Sequence, residues 1–129
     1  MTAAGPDAAV DRDLDLDRCA AYVAARDTLV AVHDASLSWP SEIALEARRA
    51  AVAAVATTAE GLGHGATTAA RRRCIREALG AAIALAATLD VARAVGVADA
   101  GMARAQHHIG RTVALLGLLL HASANPAGA

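Results

Sequence analysis

Alanine fills 38 of the 129 positions in this chain, and no residue favours a helix more. Phe is absent and Trp and Tyr occur once each, which excludes both a core of stacked aromatics and a base-stacking platform. The ten Gly and three Pro are few and clustered, unlike an all-β chain with frequent turns. A chain of this length, 56% hydrophobic and 19% charged, reads as one domain able to bury roughly two-thirds of its unfolded surface. The length excludes a multidomain enzyme.

Apolar spacing divides the chain into four helices. Residues 1–12 read as a disordered acidic leader with Gly5-Pro6. The first helix is expected from Asp13 to about Ser36, with Tyr22, Ala25, Leu29 and Val32 on one face. The connection Ser36-Leu37-Ser38-Trp39-Pro40-Ser41 follows; Ser38 or Ser41 is the expected cap of the second helix, and Pro40 suits its first turn. That helix runs from about Glu42 to Glu60, its stripe Leu45, Val52, Val55 and Ala59, with Gly61 as the expected left-handed cap. The third runs from Thr67 or Thr68 to Val95, its stripe Ile75, Leu79, Ile83 (or Ala82) and Ala86, and Gly96 ends it. Asp99 caps the fourth, which turns Met102, Ala105, Ile109, Val113, Leu116 and Leu120 inward. Residues 122–129 read as a flexible tail, leaving 13–121 for the bundle. Short connections make an antiparallel up-down four-helix bundle the simplest all-α fold.

Two segments are apolar on more than one side. Between Ala78 and Leu89 nearly every direction around the helix is apolar, and Leu115, Leu118 and Leu119 form a second stripe on the fourth helix. Such helices bury a second side, and in so small a bundle another copy of the chain covers it most easily. A homo-oligomer is therefore expected. Gly80, inside the charge-free stretch, is expected to permit close approach of helices. The charge-free runs fall short of the roughly 20 residues that span a bilayer, so no membrane partner is expected. The N-terminus has no apolar signal region. Cys19 and Cys74 lack C-x-x-C spacing and are expected as free thiols in a cytoplasmic protein.

The five His are His33, His64, His107, His108 and His121, and no two lie four apart. Three residues beyond Glu60 and Glu77 stand Gly63 and Gly80, so the Glu-x-x-His pairs of di-metal bundles are absent. Gly61-x-Gly63-x-Gly65 follows a helix and precedes no Lys, which fits a turn and not a phosphate loop. Nothing assembles a nucleophile elbow or a triad. No enzyme, metal or cofactor is expected.

All twelve basic residues are Arg and the net charge is −1. The total argues against a general counterion-driven nucleic-acid binder, yet the charge is uneven: residues 48–129 hold nine Arg against four acids. Arg71, Arg72, Arg73 and Arg76 cluster at the start of the third helix, and Arg48 and Arg49 are adjacent in the second. Guanidinium forks suit phosphate, and repetition in an oligomer would add avidity. Pairing of Arg48 or Arg49 with Glu46, Glu60 or a neighbouring helix is the structural alternative.

Residues 46–64, EARRAAVAAVATTAEGLGH, resemble the signature Q-x-R-R-A-A-x-S-I-x-x-N-I-A-E-G-x-G-R of the four-helix-bundle family first known from 23S rRNA intervening sequences. Arg48, Arg49, Ala50, Ala51, Ala59, Glu60, Gly61 and Gly63 match it. Ala78, Gly80 and Leu85 match its next motif, F-L-x-x-A-x-G-S-x-x-E-L. Tyr22, Ala25, Leu29, Trp39-Pro40, Ile109, Arg111 and Leu115 fit its flanking helices. The chain departs from the pattern at Thr57, Thr58, His64 and Ala84, where the family carries Asn, Ile, Arg and Glu. The resemblance implies a homopentameric antiparallel bundle without enzymatic activity. One related branch, the accessory variability determinant of diversity-generating retroelements, binds a reverse transcriptase and its template RNA through a basic surface. The leading expectation is accordingly a nucleic-acid or reverse-transcriptase accessory contacting RNA or DNA through Arg71, Arg72, Arg73 and Arg76, with Arg48 and Arg49. The alternative is a structural or protein-interaction oligomer.

Overall fold

The computed structural model describes residues 15–124. Four helices account for most of them: α1 (Ala20–Ala35), α2 (Ser41–Leu62), α3 (Ala69–Ala94) and α4 (Ala100–Ala124). Single 3-10 turns, Leu16–Arg18 and Ser36–Ser38, flank α1. There is no strand among the described residues. The connections 36–40, 63–68 and 95–99 are too short to do anything but fold each helix back along its predecessor. Pairings along the axes agree: the end of α2 meets the start of α3 at Gly61 and Ile75, and the end of α1 meets the start of α4 at Ala35 and Gly101. Each helix packs on its two neighbours and α4 closes back onto α1.

Local signals account for the well-placed boundaries. Thr68 rather than Thr67 caps α3, its Oγ1 accepting from the Arg71 N–H at 3.1 Å. Asp99 caps α4 through Oδ1 to the Met102 N–H at 2.8 Å. Gly96 stands at φ 104°, donating to the Arg93 carbonyl while Val97 donates to that of Ala92. That paired arrangement closes the last turn of a helix on a left-handed glycine.

Several expectations are corrected. The first helix begins at Ala20, later than expected: Asp15 to Cys19 form the 3-10 turn and cap that precede it, and Asp13 itself lies outside the described residues. Pro40 itself precedes α2 and no side chain caps that helix; the Ser38 hydroxyl donates backwards to the Ala35 carbonyl. Gly61 is not a left-handed cap. It lies inside α2, which ends on Gly63 at φ −75°. Residues 122–124 belong to α4, while the expected leader 1–12 and the tail beyond 124 lie outside the described residues.

The largest correction concerns which face of α2 turns inward. The buried residues are Ala44, Ala47, Ala51, Ala54, Thr58 and Gly61, whereas the expected stripe residues Leu45 and Val52 are half exposed. On α3 the buried row is Cys74, Ile75, Ala78, Ala82, Leu85, Leu89 and Ala92, and Ile83 points out. Small side chains let the α2 and α3 backbones approach closely, and a few large ones, Ile75, Leu85, Leu89, Met102, Leu116 and Trp39, fill what remains. Among the described residues a polar contact crosses this core: the Thr28 and Thr112 hydroxyls meet at 2.8 Å, each with its own i−4 carbonyl in reach, so one hydroxyl donates to its carbonyl while the other donates to its neighbour.

Gly61 and Gly80, both within helices, differ in what their missing side chains allow. A Cβ on Gly61 would lie 2.8 Å from Ile75 Cδ1 and 3.1 Å from Cys74 Cβ, so the absence of a side chain sets the α2–α3 approach. A Cβ on Gly80 would meet nothing within 4 Å; contrary to expectation, Gly80 faces out and brings no helices of the bundle together. Gly61→Ala should therefore destabilise the fold by roughly 1 kcal/mol, since overpacking outweighs the gain in helix propensity. Gly80→Ala should stabilise it by up to about 1 kcal/mol. Denaturant midpoints of the two variants should move in opposite directions.

Candidate functional site

The six arginines singled out in the sequence do not form one patch. Arg48 lies about 20 Å along α2 from its C-terminal end, beside the connection out of α1, where its Nε donates to Ser36 Oγ at 2.8 Å. Arg49 is exposed and sits 3.6 Å from the Glu46 carboxylate one turn earlier, the structural pairing considered for it. At the opposite end, Arg71 reaches back to donate to the His64 carbonyl at 3.4 Å, and Arg72 donates to the Thr67 carbonyl at 3.1 Å. These two side chains tie the 63–68 connection to the helix it leads into. Arg73 and Arg76 are exposed and make no hydrogen bond or ion pair among the described residues.

The same end of the bundle gathers a set of donors that the sequence reading missed. Glu60 and His64 are four residues apart at the end of α2, and Cys74 looks across from the second turn of α3. One ligand atom from each lies within 4.8 Å of the others. The approach depends on Gly61, whose missing side chain leaves room for Cys74 and Ile75. The connection between the helices is fixed by backbone bonds: His64 N–H donates to the Gly61 carbonyl at 3.1 Å, and Thr68 N–H to that of Gly65 at 3.1 Å. A shallow pocket of about 280 Å3, lined by Leu62, Gly63, His64, Gly65, Ala66 and Arg71, opens beside it, and the Arg71 Nε is buried without a partner. The legible signal is Glu60-x-x-x-His64, a carboxylate and an imidazole four residues apart where α2 gives way to the connection. It matches neither a His–His pair at that spacing nor the Glu-x-x-His pair of di-metal bundles.

Burial pushes the Cys74 thiol up from its ordinary pKa, the Glu60 and Glu77 carboxylates push it further, and Arg73 partly offsets them. The side chain is a neutral thiol at neutral pH. Neutrality in the fold costs nothing below about pH 8.5, where an unfolded cysteine is also protonated. Above that pH the unfolded thiol ionises first, so this group takes stability away in the alkaline range.

Outside this corner several large aliphatic side chains stand exposed. Val30, Leu37, Leu45, Val52, Ile83, Val91, Val95 and Leu118 expose between 48% and 71% of their area. Leu29, Val30, His33, Arg48 and Val52 line a groove of about 380 Å3 between α1 and α2. No helix among the described residues is long and apolar enough to cross a membrane. No protein-family model matches the chain, nor does any curated protein or solved structure.

Proposed function

We propose that the chain is a non-catalytic, homo-oligomeric four-helix bundle of the 23S rRNA intervening-sequence kind, and that it acts through protein–protein association. The observation that carries this reading is the inversion of side-chain size: alanines face the core of α2 while Leu45 and Val52 face out, with Ile83, Val91 and Leu118 exposed on the next two helices. A large exposed apolar surface on a small soluble bundle marks an interaction site. The resemblance of residues 46–64 to the family signature adds a ring of five as the expected assembly.

A second reading, the nucleic-acid or reverse-transcriptase accessory, draws on Arg73 and Arg76, exposed three residues apart at the positive end of α3. Arg48, Arg49, Arg71 and Arg72 already have partners within the chain, which is why this reading stands second. Binding to structured RNA over a salt series separates the two. The protein-association reading predicts no salt-sensitive binding above background. Binding that weakens with salt, and whose salt slope falls on Arg73→Ala with Arg76→Ala, would put the accessory first.

A further inference from the structure

We infer that Glu60, His64 and Cys74 form a binding site for a borderline-soft divalent transition metal, Zn2+ foremost, which clasps the end of α2 to the start of α3. One thiolate sulfur, one imidazole nitrogen and one carboxylate oxygen match the ligands Zn2+ takes, and hard cations such as Mg2+ and Ca2+ select oxygen alone. Three protein ligands leave the fourth tetrahedral position to water or to an external donor.

The geometry requires little movement. Zn2+ bonds of roughly 2.0–2.3 Å place neighbouring ligand atoms about 3.5 Å apart, and the three atoms here already lie within 4.8 Å of one another. Glu60 is exposed, so its carboxylate can swing in by rotation alone. Cys74 is buried and fixed by its packing. His64 is carried by a connection whose backbone is held from both sides, by Gly61 and by Arg71. A dication would neutralise the Cys74 thiolate and the Glu60 carboxylate together. As the metal–sulfur bond forms, the thiol proton leaves to solvent, and no oxidant or reductant is involved.

Each feature of the local sequence has a place in this account. Glu60 lies in the last turn of α2 and His64 two residues beyond its end, so the turn out of the helix brings the two together. Gly61, between them, is the residue that allows Cys74 within reach. The site lies within one chain, so it holds or fails independently of the assembly state and of any macromolecular partner.

The test uses the full-length protein stripped with chelator. Titration with Zn2+ against a competing metal dye should give one ion per chain. Co2+ in place of Zn2+ should give the visible bands of a tetrahedral site with a thiolate-to-metal charge-transfer band. His64→Ala alters a residue outside the helices, so its circular dichroism should match the native protein while Zn2+ affinity falls by about 100-fold. Cys74→Ser should abolish the charge-transfer band, and Cys19→Ser should leave it intact. Failure of the native protein to bind Zn2+, binding unchanged in His64→Ala, or a cobalt spectrum that survives Cys74→Ser would each overturn the assignment.

Discussion

Leu85→Ala is expected to lower the unfolding free energy by about 2–5 kcal/mol. For a chain of this size that corresponds to a fall in melting temperature of roughly 10–20 °C, readable by calorimetry or by circular dichroism on heating. Leu85 is completely buried, and it is one of a handful of large side chains in a core otherwise built from alanine. Alanines have no length with which to reach into a vacated space, so the cavity would persist. Persistence of the cavity is what separates costly truncations from mild ones. Leu89, one turn further along the same row and equally buried, should behave alike. A drop of less than about 1 kcal/mol would mean that the row Ile75, Ala78, Ala82, Leu85, Leu89 and Ala92 is not the inward face of α3.

Combining Val52→Arg with Ile83→Arg is expected to weaken self-association by on the order of 100-fold or more, because each change asks an unpaired charge to leave water when copies meet. The fold of the single chain should survive. Both side chains are more than half exposed, both sit inside helices, and Arg is a good helix former. The readout is therefore a split one: helical content retained, sedimentation shifted to the single chain. Unchanged mass would take these two surfaces out of the interface.

The parts of this molecule that could be read from sequence are those decided within a few residues. Thr68, Asp99 and Gly96 end or begin helices through bonds that span three to five positions, so local chemistry suffices. The inward row of α4 was equally legible, since Met102, Ala105, Ile109 and Leu116 combine the right spacing with a face free of charge. The α2 stripe was misread for a physical reason. Ranking positions by apolar size selects Leu45 and Val52, but close packing against α3 rewards the smallest side chains, and the larger ones are left outside. Of the two residues open at one point of the α3 stripe, Ile83 and Ala82, the smaller is the buried one for the same reason.

Tertiary partners were less accessible. Nothing near Arg48 in sequence indicates that its guanidinium would settle on Ser36, twelve residues earlier and across a reversal of the chain. Arg71 and Arg72 looked like part of a binding cluster, yet each spends a donor on a carbonyl of the preceding connection. The grouping of Glu60 and His64 with Cys74 needs the α2–α3 turn, and its tightness follows from Gly61, which the sequence reading had made a cap.

Sedimentation equilibrium of the purified native chain at micromolar strength tests the central claim, that alanine packing inside forces larger aliphatics outside where copies of the chain cover one another. The expected species is an assembly of five times the 12.9 kDa chain. A folded, monodisperse species of 12.9 kDa would contradict it.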